Sequence, residues 1–229
     1  MTAKRLVLLV EGDGDVEAVP ILLGRLLHEY RAFDVVFLDG HPFRVGEFSK
    51  ISKNHFGEWR RYLKAAAKRG DIGGCLLLLD GDSAMRVEGQ PFCAMRAARL
   101  LVEEARKEGA GHVFSLAIVF ACMEFESWLI AGAQSLVGKQ FANRSNEIQQ
   151  LQEPVPLDPE FAPRDAKGWF RRASKNGYKP ARDQAELTRL VDLNLVRQRG
   201  PRSFRRLEAA VQELVSAVRA GEHVATPKC

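Results

Sequence analysis

LLLLDGDSAM, residues 76 to 85, drives four consecutive leucines into Asp80-Gly81-Asp82. A run that is apolar at every position has no wet face, so it reads as a strand covered on both sides, as in a parallel sheet. In an open parallel sheet, ligands bind beyond the carboxyl ends of the strands. Two carboxylates at such an end would face that space, with Gly81 letting the backbone turn tightly between them. Asp-Gly-Asp after a strand is equally an ordinary turn sequence. The rest of the chain has to separate the two readings.

The flanking segments repeat the pattern. RLVLLV (5 to 10) is a second continuous apolar run, and the EGDGD turn after it leads into VEAVPILLGRLLHEY, whose Val16, Val19, Leu22, Leu23, Leu26 and Leu27 recur at helical spacing. FDVVFLD (33 to 39) reads as a strand, and FGEWRRYLKAAAKRG (56 to 70) as an amphipathic helix stopped by Gly70. GCLLLLDGD (74 to 82) is the next strand. PFCAMRAARLLVEEARKEG is a helix with Pro91 at its start and Gly109 at its end, and VFSLAIVFACMEFESWLIAG passes from strand to helix. Strands alternating with helices of these lengths make βαβ units. The expected fold is therefore α/β, with a mostly parallel sheet flanked by helices over residues 1 to 135. Residues 136 to 229 form a connecting lobe with four prolines and a basic helical C-terminal region packed on the sheet domain, with Ser203 as the expected N-cap of the last helix.

Acids fall at three strand ends of this scheme: Glu11 after the first, Asp80 and Asp82 after the third, Glu124 and Glu126 after the fourth. Carboxylates gathered at one edge repel unless a cation neutralises them, and an oxygen-rich set suits Mg2+ or Mn2+. Each signal has a plainer reading. EGDGD also fits a solvated loop whose glycines supply positive φ, and Glu124 and Glu126 also fit as helix N-terminal charge. EGDGD lacks the lysine of a phosphate-binding P-loop.

Composition bounds the rest. The chain has 229 residues, 46% hydrophobic and 28% charged, enough for a sizeable core, and no apolar run nears the roughly 18 residues needed to span a bilayer. A cytoplasmic protein with no membrane contact is expected. Cys75, Cys93, Cys122 and Cys229 form no CxxC pair, and the five histidines form no ligand-spaced pair. The net charge of +5 is uneven: residues 164 to 229 carry +8, against −3 for residues 1 to 163. RDAKGWFRRASKNGYKP (164 to 180) interleaves Trp169, Phe170 and Tyr178 with cations, a pattern that suits nucleic acid. The aromatics read better as core and Lys167, Arg171 and Arg172 as phosphate contacts, with Arg205 and Arg206 as further candidates.

These residues also carry a resemblance. VEG at 10 to 12, an acid four residues after Glu11, and a strand ending in Asp-x-Asp are similar to the Toprim fold of topoisomerases, primases and overcoming-lysogenization-defect nucleases. EGDGDVEAVPILLGRLL, LLLLDGDS, MEFESWLIAG, RDAKGWF, GYKPARDQAELT and PRSFRRLEAAV together resemble, in this order, the bacterial family called domain of unknown function 4276, which is Toprim-like. That resemblance implies a Rossmann-like Toprim sheet with a C-terminal helical subdomain. It also implies a metal-dependent nuclease, with Glu11 as general acid or base, Asp80 and Asp82 as metal ligands, and Asp15 with Glu124 or Glu126 as the further acids. Asp15 stands where relatives carry glutamate and reaches one methylene less. The partners implied are DNA or RNA and an ATPase of a phage-defence system, with homo-oligomerisation open. A catalytically inactive nucleic-acid- or protein-binding regulatory module is the other expectation.

Overall fold

The computed structural model describes residues 2–81, 86–87, 89–142 and 146–228. In chain order, β1 (Lys4–Val10) leads into α1 (Asp13–Glu29), followed by β2 (Val36–Leu38), β3 (Phe43–Arg44), α2 (Phe48–Ile51), α3 (Lys53–Ala67) and β4 (Ile72–Asp80). An antiparallel pair, β5 (Arg86–Val87) and β6 (Gln90–Pro91), precedes α4 (Ala94–Arg106), β7 (Ser115–Ala121) and α5 (Glu126–Ala131). A 3-10 turn (Ala133–Leu136) opens a largely irregular stretch, after which come α6 (Ala166–Ala173), α7 (Pro180–Leu190), α8 (Leu193–Arg199), α9 (Arg202–Ala220) and β8 (Ala225–Thr226).

Among the described residues, six strands form one sheet in the order β2-β1-β4-β7-β8, with β3 also pairing β1. Every pairing in it is parallel, as the strand and helix alternation requires. Register aligns Val10 with Leu78, Leu78 with Val119 and Asp80 with Ala121, so the carboxyl ends of the three central strands reach the same edge.

Successive residues of a strand point to opposite faces, and the leucine runs therefore fill two cores at once. Leu8, Leu76, Leu78 and Val119 face α1 and the C-terminal helices; Val7, Leu9, Leu77 and Ile118 face the α3 and α4 side. Full burial of a leucine stabilises by roughly 1.5 to 3 kcal/mol, which is why these strands carry no polar residue until their ends. The first core draws on both halves of the chain: Leu23 of α1 lies in one cluster with Leu187 of α7 and Val211 of α9.

Several local expectations change. α1 begins at Asp13, inside the expected acidic loop. Neither Gly12 nor Gly14 has positive φ; Gly14 is required because a Cβ there would lie 2.9 Å from Pro180 Cβ and closer still to the Gln184 amide oxygen. Pro91 belongs to β6 rather than to a helix start, and α4 opens at Ala94. The helical stretch after residue 182 is broken by extended Val191, with Asp192 capping α8 through Asn194 N–H. Ser203 lies inside the first turn of α9 behind Pro201. Among the described residues, no helix is long and apolar enough to cross a membrane.

Candidate metal centre

At the carboxyl edge, backbone and acids lock the strand ends together. Glu11 follows β1 directly, and its Oε2 accepts the Asp80 N–H at 3.0 Å. Asp80 closes β4, and its Oδ1 accepts the Phe125 N–H at 2.9 Å, beyond β7. Gly81 N–H donates to the carbonyls of Ala121 (2.7 Å) and Met123 (2.8 Å). A Cβ on Gly81 would sit 2.7 Å from the Ala121 oxygen, so glycine between the two aspartates is demanded by this close approach, with no positive φ involved.

Three carboxylates converge there. Asp80, Glu124 and Glu126 each offer an oxygen, and these oxygens lie within 4.8 Å of one another. Glu126 is buried at 1% exposure, and the Tyr178 hydroxyl donates to its Oε1 at 2.8 Å. Glu124 is 8% exposed; its Oε1 accepts from Lys167 Nζ at 2.6 Å, while its buried Oε2 has no hydrogen-bond partner among the described residues. The same Nζ lies 3.6 Å from Asp80 Oδ2 and 4.0 Å from Glu126 Oε2.

Electrostatics follow from crowding in a half-dry site. Burial, then repulsion from Glu11 and Glu126, pushes the Asp80 carboxyl well above the usual carboxylate range. Burial raises Glu126 to about 7 against the opposing pull of Lys167 and Tyr178, with Glu124 adding to the rise. Burial works to lower the Lys167 ammonium, but Glu126, Asp80 and Glu124 outweigh it and hold the proton on. Among the described residues one ammonium faces three carboxyl groups, so acidic groups are in surplus. Hard oxygen donors, that surplus and an unsatisfied Glu124 oxygen fit a divalent cation such as Mg2+ or Mn2+.

The family model described as Domain of unknown function (DUF4276) matches residues 10–212. The chain belongs to the DUF4276 family. Among solved structures, the C-terminal region of the Burkholderia pseudomallei OLD protein is similar at 14% identity, over 94% of this DUF4276 chain and 100% of that one, with a TM-score of 0.44. A search of curated proteins gave no match.

Two further acids are expected at the site of this DUF4276 protein. Asp82 lies outside the described residues. Asp15 sits in the first turn of α1, where Oδ2 accepts the Gly12 N–H at 2.9 Å and Oδ1 accepts from the Gln184 amide at 2.7 Å. Its carboxyl is raised by burial, against the lowering effect of those two bonds and of Lys167.

Among the expected phosphate contacts, Lys167 is turned into the acidic cluster. Arg171 is exposed. Arg172 pairs with Glu153 at 2.6 Å, and Arg206 donates to Glu213 at 2.9 Å and to the Thr226 hydroxyl at 2.6 Å. Arg205 is exposed and donates to the Gly200 carbonyl at 2.8 Å. Trp169 and Phe170 are core, as is Tyr178 apart from its hydroxyl.

Two residues of the site escape sequence reasoning in their roles: Tyr178, against Glu126, and Gln184, against Asp15. The signal was present, because the GYKPARDQAELT stretch of the DUF4276 pattern contains both, and RDAKGWF contains Lys167.

Proposed function

We propose that this chain is a Mg2+- or Mn2+-dependent nuclease that hydrolyses phosphodiester bonds at the carboxyl edge of its sheet. The observation that carries the reading is the convergence of Asp80, Glu124 and Glu126 on one point, with Glu124 Oε2 buried and without a hydrogen-bond partner among the described residues. Those three residues would hold the ion, and Asp82 and Asp15 are proposed as further acids of the site. When bound, such an ion polarises a phosphoryl oxygen and lowers the pKa of water.

The protein's own groups supply the remainder. Glu11, fixed by the Asp80 N–H, is the proposed general acid or base. Tyr178 fixes the Glu126 rotamer, and the Phe125 N–H fixes that of Asp80. Lys167 lies 35% exposed beside the cluster, where its ammonium can meet a phosphate oxygen arriving from solvent. Arg171, Arg172, Arg205 and Arg206 are the proposed contacts to the rest of the nucleic acid, each expected to reduce the salt slope of binding by about one when removed.

The test is cleavage of labelled DNA and RNA with Mn2+ or with EDTA. Asp80→Asn and Glu124→Gln should each lower the Mn2+-dependent rate by about 100-fold or more with an unchanged circular dichroism spectrum. Undiminished cleavage by Asp80→Asn removes the proposal. A partner ATPase acting in phage defence and self-association belong to the same proposal. The mass of the purified protein in solution tests self-association, and co-purification with an ATPase encoded beside it tests the partner.

One observation favours a second reading, a catalytically inactive nucleic-acid- or protein-binding module: the Lys167 ammonium, 2.6 Å from Glu124, is already a counter-charge to the cluster. Calorimetric titration separates the two. Saturable Mn2+ binding lost in Glu124→Gln supports the nuclease, and absence of binding at millimolar Mn2+ supports the module.

A further inference from the structure

Residues 156 to 162 run from the irregular lobe past the end of β7, and they display two large apolar side chains to water: Leu157 is 90% exposed and Phe161 68%. Single exposed apolar residues are common and need no explanation. This pair differs because the backbone that carries it is pinned.

Asp158 Oδ1 accepts the Glu160 N–H at 3.0 Å, and the Asp158 carbonyl accepts the N–H groups of Phe161 and Ala162, each at 3.2 Å. Glu160 itself is 3% exposed and reaches under the loop to the start of α9, where it accepts the N–H groups of Arg202 (2.8 Å) and Ser203 (2.7 Å) and the Ser203 hydroxyl (2.5 Å). The Ser203 oxygen in turn receives the Trp128 indole N–H at 2.8 Å and the Cys122 N–H at 3.0 Å. Cys122 Sγ lies 3.9 Å from the Glu160 carbonyl, two residues before Glu124. The backbone that carries Phe161 is thus held at a fixed place near the end of β7 while the ring stays in water.

The surroundings are cationic. Arg199 donates to the Pro156 carbonyl at 3.4 Å, Arg202 anchors Glu160 by its backbone, and Arg205 holds the Gly200 carbonyl one turn away. Arg164 follows the loop in sequence, and Arg164, Arg199, Arg202 and Arg205 are all exposed, against one exposed acid in the loop, Asp158.

We propose that this loop is a stacking platform for the unpaired bases of single-stranded nucleic acid, with Phe161 under a base and Arg164, Arg199, Arg202 and Arg205 on the flanking phosphates. The inference rests on the nuclease reading of the neighbouring site and specifies its substrate as single-stranded. An aromatic face held rigid in advance loses little entropy on binding, every base has a π face to offer it, and in a duplex those faces are already covered by neighbouring pairs. A protein partner would also cover Phe161 and Leu157, but exposed arginines are matched by a polyanion.

The test uses the full chain in EDTA, so that nothing is cut, with a fluorescein-labelled single-stranded 20-mer and a hairpin duplex followed by anisotropy. Phe161→Ala should weaken single-strand binding by roughly 5- to 100-fold and leave duplex binding unchanged. Phe161→Trp should bind as the wild type does. Because Trp59, Trp128 and Trp169 are all buried, the new indole is the water-exposed emitter, and its fluorescence should be quenched by the single strand alone.

A wild type that binds the single strand with Phe161→Ala undiminished overturns the platform and leaves the nuclease reading standing. Equal weakening for single strand and duplex does the same. A wild type that binds neither form overturns both. A change in oligomeric mass on Phe161→Ala with unaltered oligonucleotide affinity assigns the loop to a protein contact and also overturns the proposal.

Discussion

Asp39 is the plainest case of a residue whose charge belongs to the folded state. It is 2% exposed, yet Arg5 lies 3.1 Å away, Arg69 reaches both of its oxygens at 2.8 and 3.0 Å, and His41 N–H adds a bond at 2.9 Å. Burial pushes its carboxyl up, but the His41 N–H and the two arginines outweigh burial and hold it below the ordinary value of 3.8. A folded pKa below the unfolded one gives stability that is present above 3.8 and lost as pH falls through the folded value. Asp39→Asn should therefore cost about 2 kcal/mol at neutral pH and lose less stability than the wild type below pH 4, measured by urea unfolding across that range. Elsewhere the residue scale was only partly legible in the sequence. Asp80 could be found because a leucine run must end somewhere, and its polar ending stands out. That Lys167 pairs with Glu124 was not legible, because a cation's neighbours are fixed by where α6 docks, which spacing along one helix does not reveal.

At the scale of elements, β1, β4 and β7 were readable because strands buried on both faces are apolar without interruption. β3 and β8, two residues each, carry too few positions for any period to emerge. The start of α1 was hidden by two glycines that look like turn residues but serve close packing and a cap. Ser203 shows the same effect in α9: as a sequence feature it resembles an N-cap, whereas in the fold its hydroxyl joins Glu160, Trp128 and the β7 end. Ser203→Ala would leave the Trp128 N–H and the Cys122 N–H without their acceptor. We expect a loss of about 2 to 3 kcal/mol in urea unfolding, and rescue by Ser203→Thr would show that the hydroxyl itself matters. The acidic edge was legible at this scale because parallel strands necessarily deliver their ends together, whereas the loop carrying Phe161 was not, since nothing in LDPEFAPR announces that Glu160 points inward.

For the molecule as a whole, the proposed metal site predicts that folding is sensitive to divalent ions. A ligand that binds only the native state stabilises it by about 2.7 kcal/mol at 100 times its Kd. Mn2+ should raise the thermal midpoint of the wild type, and Glu124→Gln should abolish the rise while keeping the fold; an equal rise in the variant would place the ion elsewhere. The sheet has another consequence. β1, β4 and β7 give alternate side chains to each core, so they act as a party wall between two rooms, and neither room can be demolished while the other is still furnished. A scanning calorimeter should record one endotherm whose van't Hoff and calorimetric enthalpies agree, even though helices from the two ends of the chain line one side of that wall and helices from its middle line the other.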